Sequence, residues 1–228
     1  LRDQLQVVAG LLREVDEATL AKGIGKIEKQ LQRAVDREKL TAEQSAEIRG
    51  RITGTIEYED LADSDLVIEA ITEDLAMKLE MWQVVDSIVK PGAIFATNTS
   101  SLAVIDQAAS TERPGQFVGL HFFNPAQVMK LVEVIRAITT APETFDVALA
   151  WANSLGKLTV QTRDNGAFIV NRLLVPYMLD AIRAYEEGVG TIGEIDAAMK
   201  AGAGHPMGPL TLADFVGLDT LGSICDVL

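Results

Sequence analysis

The feature that most constrains this chain is an alternation of two hydrophobic periods. The runs at 65–71, 93–97 and 116–120 are short and almost continuously apolar, as strands buried on both faces of a parallel sheet are. Between them lie segments with helical spacing. Leu75, Leu79, Trp82, Val85 and Ile88 repeat along 74–89 before Pro91-Gly92 stops the pattern, and a shorter helix is expected near 102–109. Upstream, Leu20, Ile24, Ile27, Leu31 and Val35 mark a long amphipathic helix within 15–40. Downstream, Val132-Glu133-Val134-Ile135 is strand-like, 143–155 is helical, and 157–162 alternates as a strand near a sheet edge does. Strands and helices in this order make an α/β domain with a largely parallel sheet.

The pattern changes near residue 164. Asp164-Asn165-Gly166 reads as a turn, and a long apolar helix follows over about 168–187 with Pro176 inside it as a kink. Two shorter helical segments, near 192–200 and 209–217, complete the chain. Two domains are therefore expected: 1–163, α/β, and 164–228, all-helical.

Composition narrows the function classes. The formal charge is −13, which disfavours nucleic-acid binding, since that needs a basic face. No uncharged apolar run reaches the roughly 18 residues of a membrane span, so no membrane partner is expected. The N-terminus has no secretory pattern, and the single cysteine, Cys225, excludes an intramolecular disulfide; both fit a cytoplasmic protein. Two histidines and one cysteine make no metal site. Gly23-Ile24-Gly25-Lys26 falls inside a helix-period segment and is not read as a phosphate loop.

The chemistry concentrates at predicted strand ends, where open α/β sheets bind ligands. His121 closes the strand at 116–120 and can serve as a general acid or base, or simply be a structural histidine. Glu133, twelve residues on, interrupts an apolar strand. It either pairs with His121 or faces solvent on an edge strand, and spacing alone leaves both open. Thr97-Asn98-Thr99-Ser100-Ser101 follows another strand. Its side chains suit a ligand oxygen, and they equally suit a helix N-cap. Asn171, near the start of the long apolar helix, is a buried hydrogen-bonder or a ligand contact.

Five ordered motifs then point to a family. Thr97-Asn98-Thr99-Ser100-Ser101-Leu102, His121-Phe122-Phe123-Asn124-Pro125, Met129-Lys130-Leu131-Val132-Glu133-Val134, Gly166-Ala167-Phe168-Ile169-Val170-Asn171-Arg172 and Gly202-Ala203-Gly204-His205-Pro206-Met207-Gly208-Pro209 resemble the L-3-hydroxyacyl-CoA dehydrogenases, from about residue 15 onward. The resemblance implies a Rossmann-like NAD-binding domain and an all-helical dimerisation domain. It implies NAD-dependent oxidation of an (S)-3-hydroxyacyl-CoA to a 3-oxoacyl-CoA, in a homodimer. His121 matches the catalytic base, Glu133 its carboxylate partner, and Ser100 and Asn171 the substrate-binding positions. Glu73, Lys78, Asn98, Ser100 and Asn124 match cofactor-contacting positions.

Family members open with a strand and a Gly-x-Gly-x-x-Gly turn that seats the dinucleotide pyrophosphate at a helix N-terminus. No such turn precedes residue 15; Leu5 to Leu12 is apolar without matching, and Asp16 falls near the place of the acidic residue that reads the adenosine ribose. The family's stretch beyond Leu228 is also absent. The NAD-binding domain is thus expected to be incomplete at its N-terminus and the helical domain at its C-terminus. The rival expectation is a catalytically silent remnant that binds acyl-CoA or dimerises.

Overall fold

A computed structural model describes residues 10–225 and 228. It begins with a strand, β1 (Gly10–Arg13), and a helix, α1 (Glu17–Asp36), which starts where the Asp16 carboxylate accepts the Thr19 amide at 2.7 Å. A second helix, α2 (Ala42–Gly50), opens with a reciprocal capping box between Thr41 and Gln44. It leads into β2 (Ile52–Thr55), which pairs in parallel with β1. Gly54 leaves room here for the Leu20 side chain of α1, whose Cδ1 would stand 2.9 Å from an added Cβ.

The main sheet follows. Its strands β3 (Leu66–Glu69), β4 (Ile94–Thr97), β5 (Phe117–Phe122), β6 (Leu131–Arg136) and β7 (Leu158–Arg163) lie side by side in sequence order. Helices α3 (Leu75–Ile88), α4 (Val104–Ala108) and α5 (Pro142–Ser154) connect them. Pairing is parallel except between β5 and β6. The reason is the connection: residues 123–130 hold no helix and are too few to carry the chain back for a parallel partner. The expected strands and helices of 65–163 are thus found. β2, α2 and β1 were not anticipated, and residues 5–9 of the apolar Leu5–Leu12 stretch lie outside the described residues.

One face of the sheet closes on α3 and α4 around Trp82, Phe95 and Phe117. The Trp82 ring stacks on Phe95 at 5.0 Å and meets Phe117 edge-on at 4.8 Å, while its N–H donates to buried Gln107 at 3.1 Å. Leu11 of β1 packs against this same cluster, which ties the two-stranded sheet to the five-stranded one. The other face is covered by α5 through Phe145, Ala148 and Ala152.

After β7 the chain is helical: α6 (Val170–Glu186, with Pro176 inside it), α7 (Ile192–Ala203), α8 (Pro209–Val216) and α9 (Leu218–Cys225). The sequence pattern anticipated α6 to α8 and missed α9. Val175, Met178, Ala213, Leu221 and Ile224 form a core of their own. No helix of the described residues is long and apolar enough to cross a membrane.

Candidate active site

The sheet's topology places its polar residues. β3, β4 and β5 run in one direction, so Glu69, Thr97 and His121 arrive together at their carboxyl ends. β6 returns antiparallel, and its register sets Glu133 directly opposite His121. Directly opposed residues on an antiparallel pair share a face and lie close enough for their side chains to meet.

They do meet. His121 Nδ1 lies 2.8 Å from Glu133 Oε2, and both residues are buried, Glu133 completely. β6 is an interior strand, so the solvent-facing reading of Glu133 is ruled out. The carboxylate's other oxygen, Oε1, accepts the backbone N–H groups of Ile169 at 3.1 Å and Val170 at 3.0 Å, at the first turn of α6. Burial alone would raise the Glu133 pKa. The hydrogen bond and charge of His121, with the two amides, outweigh it and hold the carboxyl below its ordinary range. With Nδ1 engaged, Nε2 of His121 is the nitrogen left for chemistry. Phe123 and Phe168 flank the ring, with centroids 4.5 and 5.7 Å away.

The two amides reach Glu133 because the preceding turn is left-handed. Ala167 and Phe168 have φ of 58° and 55°, uncommon for residues with a Cβ, and both are buried. This turn joins the domains, so the His121–Glu133 pair, which belongs to the first, is braced by backbone amides of the second.

Residues 97–101 do not cap α4, contrary to the helix-cap alternative. Ala103 is the N-cap residue and gives no side-chain bond. Asp164, from the end of β7, takes over instead: its carboxylate accepts the Val104 amide at 2.9 Å and the Ile105 amide at 2.7 Å. The Thr97–Ser101 turn is organised by Glu73. Its Oε1 accepts the Thr99 hydroxyl at 2.6 Å, the Ser100 amide at 2.8 Å and the Ser101 amide at 3.1 Å. Burial pushes the Glu73 pKa up, but those bonds and the charge of Lys78 bring it below its ordinary range. The Ser100 hydroxyl has no partner among the described residues, whereas its carbonyl accepts from Asn171 Nδ2 at 3.2 Å. Asn98 accepts the Phe122 amide at 2.8 Å, joining the ends of β4 and β5.

Of the residues singled out in the sequence, His121, Glu133, Ser100, Asn171, Asn98, Glu73 and Lys78 come together through these contacts. Asn124 is exposed in the loop after β5, before a cis bond to Pro125, and makes no side-chain hydrogen bond among the described residues. Lys78 is buried, its ammonium 2.6 Å from Glu69 and 3.4 Å from Glu73. Glu69 was missed. Its signal was present, since it is a carboxylate inside the apolar run Leu66-Val67-Ile68-Glu69-Ala70, the same anomaly that drew attention to Glu133. Asp16, expected near the place of the ribose-reading acid, is an exposed helix cap; two residues before it, half-buried Glu14 stands at the carboxyl end of β1, its amide bonded to Thr55 O at 3.0 Å.

Known proteins share this sequence and fold. Residues 4–165 match the 3-hydroxyacyl-CoA dehydrogenase NAD binding domain, and residues 167–228 match the C-terminal domain of 3-hydroxyacyl-CoA dehydrogenase. A 3-hydroxybutyryl-CoA dehydrogenase of Clostridioides difficile is 42% identical over 217 residues, which cover 95% of this chain and 77% of that protein. Among solved structures, FadB2 of M. tuberculosis superposes with a TM-score of 0.93 at 42% identity, over 98% of this chain and 80% of that one. The (S)-3-hydroxybutyryl-CoA dehydrogenase of Ralstonia eutropha gives 0.93 at 39% identity, over 95% and 77%. The match to the NAD binding domain begins upstream of residue 15, where the sequence motifs first align, and so takes in β1. With both domain models matched in order along it, the chain belongs to the 3-hydroxyacyl-CoA dehydrogenase family.

Proposed function

We propose that this chain oxidises (S)-3-hydroxyacyl-CoA to 3-oxoacyl-CoA with NAD, using His121 as the base. The observation that carries this reading is the buried 2.8 Å contact between His121 and Glu133 at the carboxyl end of β5, the strand next to β4, whose carboxyl end leads into the turn of Ser100. Homologues of this family act on 3-hydroxybutyryl-CoA, which supports a short-chain acyl-CoA substrate.

The residues fit a nicotinamide dinucleotide at two places. Glu14 stands at the end of a parallel strand, where a carboxylate receives the adenosine ribose hydroxyls. The resemblance puts the nicotinamide end at the turn of Asn98 and Ser100, which Glu73 holds together, with Asn124 in the next motif; Lys78, 1% exposed between Glu69 and Glu73, supports that turn from within rather than offering its ammonium to the cofactor. When bound, NAD supplies the hydride acceptor. The chain's own residues handle the proton and the placement. His121 Nε2 takes the proton of the C3 hydroxyl, and in the reverse direction returns it. Glu133 holds the ring by Nδ1 and stabilises the imidazolium, and the α6 amides keep Glu133 ionised. The Ser100 hydroxyl and Asn171 orient the substrate oxygen.

The reading includes a cytoplasmic homodimer formed through the helical domain, where Leu173, Val189, Phe215 and Leu218 are exposed. Light scattering checks this, with Phe215→Asp expected to give monomers.

The test of function is NAD reduction with (S)-3-hydroxybutyryl-CoA, followed by absorbance. Turnover that falls by about 10²–10⁴-fold in His121→Gln is expected. An active His121→Gln variant would remove the assigned base. Acyl-CoA binding without turnover by the unaltered protein would favour the binding-remnant reading instead.

A further inference from the structure

The Ser100 turn is joined to a chain of charges that begins at Glu69, a residue the proposed chemistry does not use. Glu69 ends β3 and is buried. Its Oε1 accepts Lys78 Nζ at 2.6 Å and the Ile71 amide at 2.7 Å, while Oε2 accepts the Thr97 hydroxyl at 2.7 Å. Its backbone carbonyl accepts the Asn98 amide at 2.8 Å. Lys78, only 1% exposed, spans from Glu69 to Glu73. Glu73 in turn gathers the Ser100 and Ser101 amides on one oxygen.

A lysine ammonium sealed from water is costly unless both its charge and its geometry are satisfied. A paired carboxylate from the neighbouring helix would suffice for that. Glu69 does more, because it grips the strand leading into the turn as well as the lysine that holds Glu73. The turn is thus fixed from two sides, at Thr97–Asn98 through Glu69 itself and at Ser100–Ser101 through Lys78 and Glu73. The Asn98, Ser100 and Ser101 amides are all engaged by Glu69 or Glu73, while the Ser100 hydroxyl has no partner among the described residues.

We propose that Glu69 is a positioning residue for Ser100, acting through Thr97 on one side and through Lys78 and Glu73 on the other. The catalytic consequence rests on the function proposed above; the positioning does not. A displacement of about 1 Å at a substrate-orienting group costs up to about 10²-fold in rate.

The test uses the double variant Glu69→Gln/Lys78→Met, which removes both buried charges together and so avoids a lone buried ion. Replacing a buried pair by uncharged groups of similar size is often neutral for stability. The first readout is the amide proton shifts of Ser100 and Ser101 in the cofactor-free protein, which are blind to any contact between Lys78 and NAD. They are expected to move upfield or broaden while the melting temperature stays near that of the parent. The second readout is turnover, expected to fall about 10–100-fold in kcat with a smaller change in KM. Unchanged Ser100 and Ser101 amides in a folded double variant would overturn the proposal, as would activity that simply tracks stability. Should the double variant not fold, Glu69→Gln alone is read by the same shifts: displaced amides support the positioning role and unmoved amides overturn it. Failure of the parent protein to turn over would count against the proposed function, while the amide shifts still decide the positioning.

Discussion

One carboxylate, Glu133, joins the His121 ring to the first turn of α6: Oε2 lies 2.8 Å from Nδ1, and Oε1 accepts the Ile169 and Val170 amides at 3.1 and 3.0 Å. The carboxylate that holds the His121 ring is therefore also the N-terminal partner of the first helix of the second domain. Charge and helix end favour each other here, because the unpaired amides of a helix start attract an anion.

Removing that carboxylate should cost stability as well as rate. In Glu133→Ala, two amides and a ring nitrogen lose their acceptor in a fully buried place. Breaking a buried charged interaction on one side typically costs about 3–5 kcal/mol. Urea unfolding is expected to show a loss of that order, together with the loss of turnover. His121→Gln keeps the size and a hydrogen-bonding group, so its loss should stay near 1 kcal/mol, about the net worth of one hydrogen bond. Equal stability of Glu133→Ala and the parent would show that the link between domains carries no energy.

The same residue gives an acid dependence. Glu133 has its pKa lowered in the folded protein, against burial, by His121 and the two amides. Its unfolded value is about 4.3. The folded form thus binds the proton less readily than the unfolded form. Its contribution to stability is fully present above that value and is lost as pH falls through the folded value. Glu73 and Asp196 are shifted in the same direction and add to the slope. Urea midpoints measured from about pH 6 down to about pH 3 should fall more gently for Glu133→Gln than for the parent. An identical slope would mean that Glu133 is not ionised against this background.

How far the sequence reached depended on what kind of signal each element carries. Strands β3 to β5 and helix α3 announced themselves through apolar runs and helical spacing, since both bury a large apolar face. Helix α2 has a single large apolar residue, Ile48, so it has no apolar stripe to find, although its Thr41–Gln44 capping box was readable. β2 was hidden by Gly54, which looks like a turn residue but serves the packing of Leu20. Whether Glu133 faced solvent depended on strand order, a tertiary property no local pattern encodes. Glu14 was not singled out beside Asp16 for a related reason, because β1 is only four residues long and its end is set by pairing with β2.

Asp164 gives a stability test that local reasoning would not suggest. It caps a helix sixty and fifty-nine residues away in sequence, at Val104 and Ile105, from the segment that joins the domains. Loss of a helix cap costs about 0.5–2 kcal/mol. Asp164→Ala should therefore lower the urea midpoint by an amount in that range. Because α4 follows directly on the Thr97–Ser101 turn, the Ser100 amide resonance should shift as well. A variant as stable as the parent would show that α4 needs no distant cap.

The helical domain offers the sharpest steric prediction, at Gly208. Its φ of −68° suits any residue, so conformational freedom is not the reason for glycine there. Space is: a Cβ would stand 2.2 Å from Asp196 Cγ and 2.3 Å from Asp196 Cβ. Asp196 cannot yield cheaply, because it is buried and its two oxygens accept the Leu210 and Thr211 amides at 2.8 and 3.0 Å at the start of α8. Gly208→Ala must therefore displace the carboxylate and expose those amides, or move the backbone. Overpacking of this kind costs about 1–3 kcal/mol, and a lost cap adds about 1 kcal/mol. Gly193 in the first turn of α7 is the control, since nothing lies within 4 Å of its added Cβ. Gly193→Ala should raise stability by up to about 1 kcal/mol through helix propensity. Thermal melts of the two variants are thus expected to move in opposite directions. If both rise, the tight seat of Asp196 against Gly208 does not constrain the domain.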